Sequence, residues 1–431
     1  MTTPARKINK LDFSNYVHID LSLSNLYDRF FLILFVVDIA LRLLWLSKPE
    51  GSLIFDEWYY VNVARVILHI PQSVGANGQP PYLNVPLGFD PNHEHPPLAK
   101  LMIALSMWVL GNNGFAWRLP SVIFGSVSVL AFYLLMKRLS TQEAIPILAT
   151  FLFSFDNLVF VHSRIATLDI FSLGFMLLGL YWYFSDHSYL SAIGMALSAL
   201  TKLTGIAGFG IVVALHAVKF IRGRIQGKHW GDFFSWIEKY TLTYVICFLV
   251  LLWIMDHYWV GLDTVTHIEY MLKYSAALTS SCPKGIISCP WQWLLNQLTI
   301  PYLRVNVQTT SGGVTSSYLS VSFAGAMNPA ISFLTIPALL YCSYNYYQRQ
   351  DDLSLVSLAL FTATYLPFFP AVILGDRVTY LFYFLSAVPA VCAAIAYMIA
   401  DTKLPKLVVL FYLAVVLYIF IVMFPFPRIP T

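Results

Sequence analysis

Residues 29–65 read RFFLILFVVDIALRLLWLSKPEGSLIFDEWYYVNVAR, and they place an apolar run directly before a polar, aromatic segment. The run over residues 29–47 approaches the roughly 20 apolar residues that cross a bilayer. Its Asp38 and Arg42 lie four residues apart and can pair on one face of a helix. The stretch therefore predicts a membrane-spanning helix, followed by a loop that carries acidic and aromatic side chains at the membrane edge.

The composition of the whole chain supports this interpretation. Of 431 residues, 58% are hydrophobic and 11% are charged, and the mean hydropathy is +0.68. A soluble domain carries about 25% charged residues, so the composition excludes a soluble protein. The formal net charge of +4 is small and the bases are scattered, which does not indicate a nucleic-acid partner. No cleavable signal peptide is evident, so we expect the first apolar run to remain as an anchor.

Apolar runs recur along the chain and predict an all-α polytopic membrane protein with about eleven transmembrane helices. The predicted spans are 29–47, 119–136, 143–161, 168–184, 188–203, 205–220, 238–259, 326–347, 353–370, 378–400 and 406–424. Basic residues gather in alternate connections, from Arg6, Lys7 and Lys10 onward. The positive-inside rule then predicts a cytoplasmic N-terminus, with the C-terminus and both long loops on the extracytoplasmic side.

Two extracytoplasmic loops, 48–118 and 260–325, are too long to be simple connections. The first contains EWYYVNVARVIL and PPLAKLMIALSMWVLG, and the second contains DTVTHIEYMLKYSAAL and PWQWLLNQL. These amphipathic segments are too short to cross a bilayer and predict helices on the membrane surface. TTSGGVTSSYLS predicts a flexible loop. Cys282 and Cys289 share one polar loop, and they either form a disulfide in an oxidising compartment or remain free thiols.

The most informative acidic residues are Asp56 and Glu57, which follow the first span and open a short helix. Acidic residues suit a helix start because they cap backbone N–H groups and interact well with the helix dipole. They also suit catalysis, with Asp56 as a general base and Glu57 holding an acceptor or shaping the turn. Capping leaves one carboxylate oxygen available, so both interpretations can hold.

The segment DPNHEHPPLAK is polar and precedes an apolar helix pattern. His93, Glu94 and His95 form only a weak metal-binding signal. The diproline favours a helix start, which would direct His95 and Lys100 along the membrane surface toward a phosphate. The alternative is that both side chains are simply solvated or extend to the interface.

Single basic residues stand at several predicted outer ends of spans: Arg118, Arg164, Lys202 and Arg377. Each alone is typical of an interfacial anchor. Together on one side of the membrane they favour a clamp for a phosphate or pyrophosphate, because charge-assisted donors hold anions best. In this hypothesis Arg164 can pair with Asp169, and Asp376 can orient Arg377.

The ordered motifs of the chain resemble those of the protein O-mannosyltransferase family, one of the multi-span glycosyltransferases of GT-C type that use lipid-phosphate sugars. The motifs are FDEWYY, EHPPLAK, AWRLPSVIFG, FDNLVFVHSRIATLDIF, GMALSALTKLTG, MLKYSAALT, SCPWQWLL, AMNPAISF, YLPFF and DRVTYLFYFLSAVPA. They extend over almost the full length and imply a single transmembrane glycosyltransferase domain over residues 1–431. Eukaryotic members carry a β-trefoil domain for which residues 260–325 are too short, so the resemblance is to a minimal, prokaryotic-type enzyme.

The resemblance implies an inverting transfer of mannose from a polyprenyl (dolichyl) phosphate to Ser or Thr hydroxyls of an acceptor protein on the extracytoplasmic side. Asp56 matches the essential acid of the first loop, and Glu57 matches its neighbour. Arg118 matches the base that opens the second span, and Arg164, Lys202 and Arg377 match further basic positions.

Chemistry adds a prediction about how such a transfer would work. A lipid monophosphate leaves readily once cations neutralise it, so one base and a phosphate clamp suffice, unlike glycoside hydrolysis. We expect Arg118, Lys202 and Arg377 to hold the phosphate, with help from His95 or Lys100. No cofactor is required, although Asp56, Glu57 and Glu94 could recruit a divalent metal.

Two other functions stay open at this point. A related transferase could move another lipid-linked sugar onto a lipid or glycan acceptor through the same fold. A lipid-linked sugar flippase or secondary transporter would instead need polar groups at both faces and an ion site near the midplane, for which Asp38 and Arg42 are the candidates.

Overall fold

The computed structural model describes residues 21–22, 24–223, 229–311 and 314–423. The predicted N-terminal bases Arg6, Lys7 and Lys10, the bases Arg224 and Lys228, and the C-terminal tail from residue 424 lie outside the described residues.

Helices make up most of the described chain, in the order predicted from the apolar runs. They are α1 (Leu26–Leu43), α2 (Glu57–Ile67), α3 (Leu98–Leu110), α4 (Gly114–Leu139), α5 (Ala144–Ser154), α6 (Asn157–His162), α7 (Asp169–Phe184), α8 (Ser188–Thr201), α9 (Ile206–Ile221), α10 (Trp230–Met255), α11 (Thr264–Ala277), α12 (Pro290–Leu294), α13 (Pro329–Arg349), α14 (Asp352–Tyr365), α15 (Phe368–Gly375), α16 (Val388–Asp401) and α17 (Lys406–Met423). Each predicted span coincides with one of these helices or with a consecutive pair.

Among the described residues, six helical segments are long and apolar enough to cross a membrane: Gly114–Leu139, Leu203–Ile221, Trp230–Val260, Asp352–Gly375, Leu381–Asp401 and Lys406–Met423. Shorter apolar helices, such as α7 and α8, pack among them. The polytopic helical architecture is confirmed, whereas the number of eleven spans stays a prediction.

Two predicted spans are broken, one at a capping aspartate and one at a proline. Within 143–161, the Asp156 side chain caps α6 by accepting from the N–H groups of Leu158 and Val159, both at 3.1 Å. Its other oxygen accepts from the N–H of Asn328 at 2.9 Å. Within 353–370, Pro367 separates α14 from α15, because proline lacks the N–H that an uninterrupted helix uses.

Glycines let the central helices approach closely. A Cβ at Gly179 on α7 would lie 2.8 Å from the Met195 side chain on α8. A Cβ at Gly194 on α8 would lie 3.1 Å from the Gly179 backbone. Small residues at such contacts are a common basis of helix association in membranes, so α7 and α8 form a tightly packed pair at the centre of the protein.

The prediction of a flexible loop over residues 309–320 is wrong. Strands β1 (Ile300–Ser311) and β2 (Val314–Gly325) pair in antiparallel register, from Ile300 opposite Gly325 to Ser311 opposite Val314. Residues 312–313, the two glycines that carried the loop signal, lie outside the described residues. The segments on either side are polar and β-branched, a composition that suits a hairpin. The described structure is therefore mostly helical with one two-stranded hairpin, rather than wholly helical.

The helices predicted in the long loops are present, but they differ in their surroundings. In α2 most side chains from Tyr60 onward are buried by protein, so this helix packs into one end of the bundle. By contrast, α3 exposes Leu105, Trp108 and Val109, which are 59%, 73% and 63% exposed. Such an apolar, aromatic face suits the membrane interface, as predicted for both helices.

Charged contacts divide between the two ends of the bundle. At one end, Lys137 pairs with Asp28, Lys219 with Asp352, and Arg349 with Asp401. The opposite end of the bundle carries the pairs Arg118–Glu57 and Lys202–Asp169. Between the ends, Asp38 and Arg42 pair with each other and are completely buried, as the spacing of four residues predicted.

Candidate active site

Asp56 lies at the N-cap position of α2, at the end of the bundle that carries the Lys202–Asp169 pair. Its side chain caps no backbone N–H group of the helix, and it remains partly exposed. Burial among neighbouring groups raises the pKa of Asp56 to about 7, with Lys202 opposing this rise and Asp169 adding to it. A carboxylate that titrates near neutral pH and is not used as a helix cap is well suited to accept a proton.

Lys202 is the cation most closely associated with this carboxylate. It is the residue at the C-terminal end of α8, and its Nζ lies 2.5 Å from Oδ1 of Asp169, the first residue of α7. The ammonium also lies 5.0 Å and 4.9 Å from the ring centres of Phe382 and Tyr383. Asp169 is thus paired with Lys202 and not with Arg164, the partner that the sequence suggested.

Arg377 is held by the segment that precedes a disulfide-closed loop. Its guanidinium donates to the carbonyl of Leu278 and to the hydroxyl of Ser275, both at 3.1 Å. Cys282 and Cys289 are joined by a disulfide, with their Cα atoms 5.5 Å apart. Asp376, exposed and in a left-handed conformation, offers its carbonyl to the N–H of Ser280. Leu278 and Ser275, rather than the Asp376 carboxylate, therefore orient Arg377.

Glu57 and Arg118 form a buried ion pair. Nε and Nη2 of Arg118 donate to Oε1 and Oε2 of Glu57 at 2.8 and 2.9 Å. The remaining Arg118 donors bind the carbonyls of Leu46, Lys48 and Ser52, each at 3.0 Å. All five N–H groups of Arg118 are therefore occupied by protein oxygens.

Glu57 is equally occupied by protein donors. Besides Arg118, it accepts from the N–H groups of Ile54 at 2.7 Å and Ala166 at 2.9 Å. The pair connects the loop before α2 with α4 and with the loop before α7. This geometry favours a role in shaping the site for Glu57 and Arg118, in place of the acceptor-holding and phosphate-binding roles that the sequence suggested.

Lys100 does not lie along the membrane surface as predicted. It is completely buried, and its Nζ lies 2.6 Å from Oδ2 of Asp90. It also donates to the carbonyls of Asn92 and His95. These partners fold the segment 90–100 around the ammonium, so Lys100 stabilises the loop and is not available to a ligand in this arrangement.

His95 is partly buried at the same end of the bundle, with its ring 6.1 Å from that of Tyr60. Burial holds the pKa of His95 well below its usual value, and the positive charges of Lys202, Lys100 and Arg377 act in the same direction. The imidazole is therefore neutral at physiological pH, and it can hydrogen-bond a hydroxyl but not neutralise a phosphate.

The other predicted residues occupy two settings. Arg164 is buried, donates to the carbonyl of Leu44 and lies 5.7 Å from the centre of the Phe160 ring. Burial raises the pKa of Glu94, which lies near Lys100 and Asp90. Within the described ranges, no group of three His, Cys, Asp or Glu side chains is arranged to hold a metal ion.

The tyrosine side chains that surround Asp56 were not identified from the sequence. The charge of Asp56 contributes to raising the pKa of Tyr60 and of Tyr302, which shows that both phenols lie nearby. Tyr380 and Tyr383 also interact electrostatically with this carboxylate; they belong to the quoted motif DRVTYLFYFLSAVPA and could have been proposed from it. Tyr302 sits near the start of β1, in a segment with no motif, and no local signal marks it.

Known proteins share both the sequence pattern and the fold. Residues 94–259 match the family model described as dolichyl-phosphate-mannose-protein mannosyltransferase. A polyprenol-phosphate-mannose–protein mannosyltransferase of Corynebacterium glutamicum is 24% identical over 414 residues, covering 80% of this chain and 76% of the relative. These matches confirm the resemblance to protein O-mannosyltransferases that the motifs indicated.

Among solved structures, the Saccharomyces cerevisiae protein O-mannosyltransferase Pmt1–Pmt2 complex bound to the sugar donor matches with a TM-score of 0.66 at 10% identity. The match covers 94% of this chain and 90% of that chain. ArnT from Cupriavidus metallidurans matches with a TM-score of 0.55 at 13% identity over 86% of this chain, which spans 60% of the ArnT chain's length. The predicted GT-C architecture is thereby confirmed.

Proposed function

We propose that this chain, like the protein O-mannosyltransferases that it resembles, transfers mannose from a polyprenyl phosphate to a Ser or Thr hydroxyl of an acceptor protein. The observation that carries the proposal is Asp56, a partly exposed carboxylate with a pKa of about 7, beside the Lys202–Asp169 pair at one end of a helical membrane bundle. Base and cations on the same membrane face suit a donor whose phosphate lies at the surface while its lipid tail stays in the bilayer.

In this mechanism Asp56 acts as the general base. As the acceptor oxygen attacks the anomeric carbon of mannose, its proton passes to the Asp56 carboxylate. The bond between that carbon and the phosphate oxygen breaks, and the bonding electrons leave with the lipid monophosphate. Attack opposite to the leaving group inverts the anomeric centre, so a single carboxylate suffices.

Lys202 and Arg377 are the cations that we assign to the departing phosphate. Arg377 uses two of its five N–H groups on Leu278 and Ser275 within the described part of the chain, which leaves donors for an anion. Lys202 is neutralised by Asp169 in the structure, so the approach of a phosphate would compete with that carboxylate. Charge-assisted donors stabilise the negative charge that grows on the leaving oxygen.

The remaining candidates support the site without contacting the donor phosphate. Glu57 with Arg118 fixes the start of α2, and Lys100 fixes the loop before α3. Arg164 anchors the segment that enters α7. The neutral His95 is placed to hydrogen-bond a sugar or acceptor hydroxyl. In this proposal no metal takes part in the transfer.

We further propose that the site faces the extracytoplasmic side and that the N-terminus is cytoplasmic. The opposite end of the bundle carries Lys137, Lys219, Arg222 and Arg349 among the described bases, and the positive-inside rule assigns such an end to the cytoplasm. The C-terminus then lies outside, after α17.

A substrate panel tests the function. Full-length protein in nanodiscs is incubated with polyprenyl phosphates carrying mannose or other sugars, together with Ser/Thr peptides or matched Ala peptides. We expect mannose to appear on Ser/Thr peptides only, and EDTA to leave the rate unchanged. Transfer of another sugar, transfer to lipid, or loss of activity in EDTA with recovery on adding a divalent metal would refute the corresponding part. Movement of the donor across vesicle membranes without transfer would favour a flippase.

Arg377→Gln tests the phosphate assignment. Because one charge-assisted contact contributes about 1.5–3 kcal/mol, we expect the KM for the donor to rise roughly 10-fold to 100-fold. Steady-state kinetics with varied donor concentration measure the effect. Arg349→Gln is the matched control, since Arg349 is half exposed at the opposite end of the bundle and pairs with Asp401. A donor KM equal in the two variants would remove Arg377 from the phosphate site.

A further inference from the structure

The residue before the proposed base has an unusual backbone. Phe55 has a φ of +54°, in the left-handed region that bulky residues rarely enter. Such a conformation is energetically unfavourable and persists only where surrounding groups hold it in place. Since Phe55 is directly bonded to Asp56, the groups that hold Phe55 also determine where the Asp56 carboxylate points.

Two aromatic rings hold Phe55. The centre of the Tyr302 ring lies 4.4 Å from the centre of the Phe55 ring, and the two rings are tilted. The centre of the Phe382 ring lies 5.6 Å from that of Phe55, in an edge-on arrangement. Tyr302 comes from the start of β1, in the second long loop, while Phe55 belongs to the first. The hairpin thereby contacts the segment that carries the proposed base.

Tyr302 is itself fixed by buried hydrogen bonds. Its hydroxyl lies 2.8 Å from Nε2 of His162, and Nδ1 of that imidazole lies 3.1 Å from the Thr167 hydroxyl. Both His162 and Tyr302 are almost completely buried. Because both ring nitrogens have partners, the imidazole is held in one orientation, and it holds the phenol against Phe55 in turn.

Gly325 makes room for this phenol. It pairs with Ile300 at the open end of the hairpin, and a Cβ at this position would overlap the hydroxyl oxygen of Tyr302. Real Cβ atoms do not approach other side chains so closely, so any side chain at residue 325 would displace the ring.

We infer that Tyr302 and His162 are positioning residues, which hold Phe55 and thereby aim the Asp56 carboxylate at the acceptor hydroxyl. The inference rests on the proposed function, in which Asp56 takes the proton of the acceptor hydroxyl. It adds a role for the hairpin, which no motif of the chain suggested. We call Tyr302, His162 and Thr167 the clamp. Gly325 leaves the space that the Tyr302 ring occupies.

Tyr302 is also one of the groups that surround the carboxylate. The titratable and charged groups around Asp56 are Lys202, Asp169, Tyr60, Tyr302, Tyr380 and Tyr383. Burial is the main cause of the raised pKa of Asp56. Displacing Tyr302 admits water, stabilises the charged carboxylate, and should lower that pKa toward its ordinary value.

Gly325→Ala and Tyr302→Ala test the clamp without changing any proposed catalytic residue. We expect kcat to fall roughly 10-fold to 100-fold, the loss typical of a slightly misplaced reacting group, while the donor KM stays within about twofold. The acidic limb of the kcat/KM profile should move roughly one unit toward lower pH. Gly210→Ala is the control, because Gly210 lies in α9 and a methyl group added there would have no atom within 4 Å beyond the backbone of its own helix and its chain neighbours.

The position of the acidic limb does not depend on how much protein is folded, so the test survives partial unfolding. In the Tyr302→Ala background, Gly325→Ala should add nothing, since the ring that it displaces is already absent. Unchanged kcat, or a lower kcat with the limb in its wild-type position, would overturn the inference.

A measurement without substrate separates this inference from the proposed function. The infrared carboxyl band that disappears in Asp56→Asn reports the titration of Asp56 directly. We expect this titration to shift to lower pH in Gly325→Ala and not in Gly210→Ala. A shift without any mannosyl transfer by the wild type would refute the function and retain the clamp, whereas equal titrations would refute the clamp.

Discussion

Asp56→Asn is expected to lower kcat for mannosyl transfer by roughly 10²- to 10⁴-fold, the usual contribution of a general base. Asparagine keeps the size of the side chain but cannot take the acceptor's proton. Because the proposed phosphate ligands are Lys202 and Arg377, the donor KM should change little. The measurement is transfer of labelled mannose to a Ser/Thr peptide, with donor and acceptor concentrations varied separately.

Glu50→Gln is the matched control for this variant. Glu50 is an acidic residue on the same loop, three-quarters exposed and 3.7 Å from Lys48. Its substitution should leave kcat unchanged. If Asp56→Asn retained activity close to that of Glu50→Gln, Asp56 would not be the base.

The stability of Asp56→Asn separates lost chemistry from lost folding. Since the pKa of Asp56 is raised in the folded protein, the folded state binds more protons than the unfolded state between its ordinary pKa of 3.8 and about 7. The folding stability of the wild-type protein therefore falls as the pH rises through that window. Above it, Asp56→Asn should unfold at the same temperature as the wild type or higher. Loss of transfer in a protein of undiminished stability would exclude misfolding as the cause.

The pH dependence of transfer follows from the same group. The base must be unprotonated, so kcat/KM, which reports the enzyme without substrate, should fall about tenfold per unit of pH below a pKa of about 7. A pH series on the wild type, in buffers of constant ionic strength, measures the midpoint. A midpoint near 4 would mean that the carboxylate is hydrated in the enzyme without substrate.

The parts of the fold that sequence predicted are those set by local periodicity. Apolar runs located the long helices, and amphipathic patterns located α2, α3 and α11 in the loops. The predictions that failed concern features that depend on partners distant in the sequence. The break at Asp156 is completed by Asn328, and each strand of the hairpin is specified by pairing with the other. A pattern within one segment carries no information about such partners.

The candidate site shows the same difference between what local sequence predicts and what distant partners decide. Residue type identified Asp56, Lys202 and Arg377 as polar groups at one membrane face, and the structure brings them to one end of the bundle. The same reasoning nominated Arg118 and Lys100, whose donors are occupied by Glu57, Asp90 and backbone carbonyls. A basic residue at a span end looks alike in sequence whether its partner is a ligand or another part of the chain. Only the acceptors within reach distinguish the two.

Glu57→Gln is expected to destabilise the protein by about 3–5 kcal/mol, because it leaves the Arg118 guanidinium buried without a counter-charge. Glu57 and Arg118 are 0% and 1% exposed, so water cannot replace the lost carboxylate. The N–H groups of Ile54 and Ala166 would also lose a charged acceptor. Thermal unfolding in detergent, followed by the monodisperse fraction on size exclusion, measures the effect.

Glu269→Gln provides the comparison, since Glu269 pairs with Lys273 on the exposed face of α11 and should matter little. The double variant Glu57→Gln with Arg118→Met should recover part of the stability lost in Glu57→Gln, because it removes both buried charges. The carboxylate pair of the FDEWYY motif would then have divided roles, with Asp56 in the chemistry and Glu57 in the scaffold. If Glu57→Gln instead kept full stability and lost kcat, Glu57 would act on the substrate, and its ion pair with Arg118 would not be its main role.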